Sequence, residues 1–308
     1  MLKVKPKILF KRSFALGDVL MITPIIRRFY TERLGECEIF VKSFYPEIFK
    51  ENPYVKKAFS LEEVIEHTFD ISYNLDWVYE KNNDRHVIDA YEDYVFGFRS
   101  LDRYCELYEN SSDVNYINSL IANIEDFIVL HMRCINNGDP DQAAKNIDEE
   151  IWQKTIINIL NNSNVKILQI GGPNDLCFGG SDRLLDMRQK LTSQQLKKLC
   201  SVSKCFLGTD SGPAHIAATS SVGMVVLYTV AKVENFLPFR KDAFTIPIKA
   251  NIECQGCLVN VSPGGRLNCQ RDVQCRKSFS PEMISSKVLE ILHQSVAAHE
   301  RQFLVGQG

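Results

Sequence analysis

The 308 residues are 45% hydrophobic and 24% charged, with a formal net charge of −2, which describes a globular chain long enough for two domains with a core in each. The near-neutral balance gives no support to a nucleic-acid partner, and no apolar run approaches the ~20 residues that span a bilayer. The basic start, MLKVKPKILFKRSF, lacks the long apolar stretch and small-residue cleavage site of a signal peptide.

The expected setting is therefore cytoplasmic. Basic pairs such as Lys11–Arg12 or Arg27–Arg28 offer at most a peripheral contact with the inner face of a membrane, or with a phosphate. In that setting the ten cysteines are not expected to form a disulfide framework.

Taken in chain order, residues 7–11 read as a short buried strand. Residues 19–30 read as one helix, because Val19, Leu20, Ile22, Ile25, Ile26 and Phe29 recur at helical spacing, with Pro24 either in its first turns or at a kink. CEIFVK (37–42) and FDISYNLD (69–76) read as strands, and residues 86–97 as a helix closed by Gly97. SSDVNY (111–116) reads as a polar connection.

The pattern then restarts. DFIVLHM (126–132) is a strand, and residues 147–160 are an amphipathic helix whose acidic first turn suits the helix dipole. VKILQIGG (165–172) is a strand ending in paired glycines. Residues 192–202 are a capped helix, residues 204–220 run strand, turn, helix, and GMVVLYT (223–229) is a strand. The closing helix, 281–296, has Ser280 as N-cap and Pro281 at its first position, and is free to pack back on the first domain. Strands alternating with helices, twice over, predict two α/β units with parallel sheets. The predicted division is 1–120 and 121–308.

In such sheets ligands bind beyond the C-terminal ends of the strands. Three turns meet that condition. The first carries Gly17 and Asp18, the second Gly171, Gly172 and Asp175, and the third Gly208, Asp210, Ser211, Gly212 and His215. An Asp opening a helix is ordinarily a cap. Asp18 is also placed as a catalytic carboxylate would be. In GTDSGPAH, Ser211 and Gly212 start a helix, where unpaired N–H groups and the dipole favour an anion. No G-x-G-x-x-G follows the first strand and no G-x-x-x-x-G-K-[ST] occurs, so the dinucleotide and P-loop fingerprints are both missing. His86, His131 and Trp152 take the bland readings of cap, structural histidine and core.

ALGDVLMITPIIRRF resembles the N-terminal signature of glycosyltransferase family 9, the heptosyltransferase family, and FLGTDSGPAHIAA is similar to its C-terminal signature. Between them, Lys145 with Trp152 seven residues later resembles the family's lysine–tryptophan segment. The resemblance implies two facing Rossmann-like domains of the GT-B type, the first for the acceptor and the second for a nucleotide sugar, with ADP-heptose the best guess. It implies Asp18 as general base, and Lys145, Asp175, Asp210, Ser211, Gly212 and His215 as donor contacts. Gly17 and Arg133 are expected to contact acceptor or phosphate.

Inverting glycosyl transfer needs a base for the acceptor hydroxyl and stabilisation of the departing diphosphate. Asp18 supplies the first, and Lys145 with the N–H groups near Ser211 and Gly212 the second. This scheme requires no catalytic metal. The acceptor stays open among a glycan, a lipopolysaccharide-core or other lipid-linked sugar, and a protein hydroxyl. A non-catalytic nucleotide-sugar-binding or assembly protein with the same cleft is the alternative, and would have no need of Asp18.

Cys254, Cys257, Cys269 and Cys275 form C-x2-C-x11-C-x5-C. The first pair has the spacing of a metal knuckle, and Gly264–Gly265 supply a return. A structural zinc or iron is one reading, and free or disulfide-linked thiols are the other.

Overall fold

The computed structural model describes residues 4–65, 68–132, 142–173, 175–257, 269 and 271–305, without the side chains of residues 142–143 and 295–305. Its strands form two parallel sheets, as predicted. The first has the order β3-β2-β1-β4, from β1 (Lys7–Lys11), β2 (Glu38–Ser43), β3 (Val55–Ser60) and β4 (Ile71–Asn74). The second has the order β10-β9-β8-β5-β6-β7, from β5 (Phe127–His131), β6 (Lys166–Ile170), β7 (Leu184–Asp186), β8 (Cys205–Thr209), β9 (Met224–Tyr228) and β10 (Thr245–Lys249). Central strands FIVLH, CFLGT and MVVLY are buried along their whole length, because helices cover both faces of a parallel sheet.

The helix expected over residues 19–30 is two helices, α1 (Leu16–Leu20) and α2 (Thr23–Glu32). Pro24 explains the break. It sits in the first turn of α2, where its missing N–H has no partner to lose, and Thr23 donates its hydroxyl to the Leu20 carbonyl at 2.8 Å across the joint. The basic pair on α2 faces inward. Arg27 donates to the carbonyls of Asp102 and Tyr104 at 2.7 and 3.1 Å, and Arg28 pairs with Glu92 at 3.0 Å and with the Phe98 carbonyl at 2.9 Å. Both arginines therefore fasten the segment that leaves the first sheet. They do not present charge to a membrane.

That segment follows α3 (Val78–Lys81) and α4 (Val87–Phe96) and leads into α5 (Ser111–Leu120), where a loop was expected. Around the second sheet lie α6 (Glu149–Asn161), α7 (Ser193–Val202), α8 (Gly212–Ala217), α9 (Val233–Phe236) and α10 (Pro281–Val305). The closing helix α10 packs on the second unit itself. Its Ile284, Val288, Ile291 and Leu292 join Trp152, Ile156 and Ile159 of α6 in one core on the sheet's outer face. Trp152 is fully buried, so its truncation to Ala would cost about 3–5 kcal/mol. A second core is continuous across both sheets, from Phe10, Ile25 and Phe29 to Val129, Phe206 and Ile216.

Candidate active site

In each sheet the chain winds outward in opposite directions from one pair of neighbours, β1 and β4 in the first and β5 and β8 in the second. Such switch points leave a crevice at the C-terminal strand ends. Asp18 occupies the first. Its Oδ2 accepts from Arg12 Nη2 at 2.7 Å, from the Ala15 N–H at 3.2 Å and from the Tyr79 hydroxyl at 3.5 Å. The Ala15 bond makes Asp18 a cap of its own helix, so the bland reading holds as well. Every hydrogen bond described for Asp18 falls on Oδ2.

Arg12, read in the sequence as half of a basic pair open to a phosphate or a membrane, is instead buried and is the centre of this cluster. It is 4% exposed, lies over the Tyr79 ring at 5.1 Å, and also binds Glu80 of α3 at 2.9 Å and the Leu75 carbonyl at 3.1 Å. Burial disfavours its charge, but Asp18, Tyr91 and Glu80 outweigh that and hold it firmly protonated. The loop after β4 is tied to the loop after β1 by Asp76, whose carboxylate accepts from the Ser13 N–H and hydroxyl at 2.7 and 2.8 Å.

The second crevice holds Lys145, Asp210, Ser211 and His215. Lys145 Nζ lies 2.7 Å from Asp210 Oδ2, and His215 Nε2 lies 3.8 Å from Asp210 Oδ1. Burial works against the Asp210 carboxylate, yet Lys145 and His215 prevail and hold it down to about 2. Ser211 donates to the Thr209 carbonyl at 3.0 Å and lies 3.1 Å from His131 Nδ1. Because the hydroxyl proton is directed at Thr209, we assign Nδ1 as the donor. Burial pushes His131 down to about 4, which keeps it neutral.

The two crevices meet. A Cβ on Gly17 would lie 2.8 Å from His215 Cδ2, and one on Gly212 would lie 2.8 Å from Leu16 Cδ2. Asp18 of one unit and the Lys145–Asp210–His215 group of the other therefore border one cleft. Asp175 is at the end of β6, but it is turned inward. Its Oδ2 accepts from the Gly172 N–H at 2.7 Å and fills the space beside Gly171, whose φ of 149° admits no side chain. Arg133 lies outside the described residues. His86 caps α4, with Nδ1 accepting from the Ile88 N–H at 3.1 Å and Nε2 3.0 Å from the Leu237 carbonyl of the other unit.

Cys275 is buried and Cys254, Cys257 and Cys269 are partly so. Burial pushes the Cys275 thiol up to about 11, with Cys257, Cys269 and Cys254 adding to it, and the same causes raise Cys257. The four sulfurs thus share one neighbourhood. Among the described residues no three ligating side chains are grouped closely enough to hold an ion. Residues 258–268, which join the two pairs, lie outside the described residues.

Residues 137–266 match the model of glycosyltransferase family 9 (heptosyltransferase). This stretch is similar to a glycosyltransferase family 9 domain. It includes Lys145, Asp175, the Asp210–His215 turn, Cys254 and Cys257, while Asp18 falls before it. Solved structures agree in fold. A family 9 glycosyl transferase from Veillonella parvula DSM 2008 superposes with a TM-score of 0.74 at 13% identity, over 95% of this chain and 99% of that one. ADP-heptose lps heptosyltransferase II of E. coli gives 0.68 at 13% identity, over 95% and 99%. The iron-containing dodecameric glycosyltransferase TibC of enterotoxigenic E. coli H10407 gives 0.67 at 15% identity, over 96% and 78%. No curated protein matches the chain. The GT-B-type arrangement of two facing Rossmann-like units expected from the sequence is the fold observed, and among the described residues no helix is long and apolar enough to cross a membrane.

Proposed function

We propose that the protein is an inverting glycosyltransferase that moves a sugar, with heptose from ADP-heptose the leading candidate, onto an uncharged acceptor hydroxyl. The observation that carries this reading is the meeting of two switch points. Asp18 stands on one, and the Lys145–Asp210–Ser211–His215 group, within the family 9 stretch, stands on the other.

In the step we infer, the acceptor oxygen attacks the anomeric carbon. The bond from that carbon to the diphosphate breaks, and its electron pair leaves with the diphosphate. The acceptor proton passes to Asp18 Oδ1. Lys145 offers charge to the leaving group and Asp210 orients it, while His215 and the Ser211–Gly212 backbone border the same space.

The acceptor side is read from the first sheet. Phe14, Phe44 and Trp77 follow β1, β2 and β4 and are 56%, 45% and 50% exposed, with Phe14 stacked on Phe44 at 4.4 Å. The cations at these strand ends are already engaged: Lys11 with Asp76, Arg12 with Asp18 and Glu80, and Lys42 with the Glu63 carbonyl. Aromatic faces beside Lys11 and Arg12, both paired with carboxylates, suit an uncharged sugar or peptide hydroxyl better than a phosphorylated lipid core.

The same reading includes a structural metal at Cys254, Cys257, Cys269 and Cys275. An all-sulfur set suits zinc or iron, TibC is described as iron-containing, and four thiolates leave no open position for catalysis.

The test is a thermal-shift screen of ADP-, GDP- and UDP-sugars, followed by transfer assays on neutral and phosphorylated acceptors. Stabilisation by one nucleotide sugar with transfer to a neutral acceptor is the expected result. Tight donor binding without transfer to any acceptor would favour a non-catalytic binding protein.

A further inference from the structure

Asp18 is bound to a cation that cannot leave. Arg12 is 4% exposed, and its guanidinium bonds run to Asp18 at 2.7 Å, Glu80 at 2.9 Å and the Leu75 carbonyl at 3.1 Å. A base in that position faces two difficulties. A buried arginine at contact distance favours the carboxylate and weakens its hold on a proton. Once Asp18 has taken the acceptor proton it is neutral, and an arginine with no other counterion would be left as an unpaired buried charge.

Glu80 meets both. It contacts Arg12 through Oε1 at 2.9 Å and Oε2 at 3.4 Å, so it grips the guanidinium from α3 while Asp18 grips it from α1. We infer that Glu80 is a positioning residue for catalysis, the permanent counterion of Arg12 that frees Asp18 to alternate between carboxylate and acid. The assignment rests on the reading of Asp18 as base and adds to it a residue that need not touch either substrate.

The other groups around Asp18 do not duplicate this role. Tyr79, Tyr91 and Tyr45 are held protonated, chiefly by burial. Asp76 is occupied by Ser13 and Lys11, and Glu47 lies beyond Tyr45. From the second unit His215 faces Gly17 and is paired with Asp210. Burial raises Glu80, and Arg12 restrains that rise. Asp18 adds to that rise, so the two carboxylates compete for one cation.

Carboxyl 13C NMR of the intact protein tests this without a substrate, with the Asp18 signal identified by its loss in Asp18→Asn. In Glu80→Gln, Asp18 becomes the sole carboxylate on Arg12, and its proton affinity should fall at least about tenfold. Glu80→Asp should restore most of it. By the same coupling Asp18→Asn should lower the proton affinity of Glu80, so the coupling is measurable even if Glu80→Gln does not fold. With a donor and acceptor in hand, the acid limb of kcat/KM in Glu80→Gln should move to lower pH and its plateau should drop. An Asp18 titration unchanged in Glu80→Gln, or a Glu80 titration unchanged in Asp18→Asn, overturns the inference. Full turnover in Asp18→Asn would instead remove the base itself, whatever the coupling.

Discussion

In the proposed step Asp18 and Lys145 do different work on the two sides of the cleft, and their variants should separate. Asp18→Asn keeps the Arg12 contact possible through its amide oxygen but cannot take a proton. Transfer should fall by roughly 10²–10⁴-fold, the usual contribution of a general base, while donor affinity and fold persist. Turnover and donor titration on one sample check both halves. Lys145→Ala removes the only described partner of Asp210 Oδ2, and a buried carboxylate without it costs about 3–5 kcal/mol where no rearrangement relieves it. Donor affinity should drop together with turnover, and isothermal titration with the nucleotide diphosphate is the direct measurement. Asp18, Lys145 and the Asp210–His215 turn were readable because each belongs to a motif with fixed spacing. Glu80 was not. It follows a short edge strand on a four-residue helix, and nothing local says that β4 lies beside β1.

Elements were legible where local pattern and tertiary role agree. β1, the strand before His131 and the capped helix at residues 193–202 were read nearly to their ends, the last because Thr192 and Gln195 form a capping box. The failures have physical causes. α5, SSDVNYINSL, is built of poor helix formers, yet Asn110 caps it and it packs on α7, so tertiary contact overrides propensity. β3 and β10 are edge strands, one disguised by paired lysines and the other by Pro247, which only an edge tolerates. α4 carries a prediction of its own. Burial, though opposed by the Leu237 carbonyl, pushes its cap His86 down to about 4. The unfolded chain then binds the extra proton between pH 6.5 and 4, so stability is full above 6.5 and falls toward 4, by about 3 kcal/mol at most for this residue. His86→Asn keeps a cap without the titration. Urea melts across that range should show a shallower pH slope than the wild type, the rest coming from His131 and the shifted carboxylates. The cysteine loop is tested by elemental analysis of protein purified without added metal. About one zinc or iron per chain, lost in Cys254→Ser, is expected; metal-free protein with four free thiols would exclude it.

At the scale of the whole molecule, the two units are held by a shared apolar core and by a few bonds from α7 and α9 to backbone carbonyls of the first unit. Gln194 donates to the Glu47 carbonyl at 2.5 Å, Asn235 to the Asn83 carbonyl at 2.7 Å, and Lys197 to the Leu107 carbonyl at 2.6 Å. Between these bonds α1 touches α8 through Gly17 and Gly212. A methyl at Gly212 meets Leu16 Cδ2 at 2.8 Å and Leu16 Cβ at 3.0 Å, and the second atom cannot turn away. Gly212→Ala should therefore force a shift of a few tenths of an ångström at this joint, with a lower melting temperature and at least tenfold weaker transfer. An unchanged melting temperature and rate would show that the contact is dispensable.

The Leu16–Gly212 and Gly17–His215 contacts also bear on how this chain can diverge. Positions near its start and positions far downstream are halves of the same joint, so neither half drifts alone. Bulk gained at 212 demands bulk surrendered at 16, and bulk gained at 17 demands a smaller ring at 215. The first exchange is open to experiment, since Leu16→Gly, which removes both the Cβ and the Cδ2, should rescue Gly212→Ala. The second is closed to descent as long as His215 is kept beside Asp210, which leaves glycine as the residue that position 17 can hold.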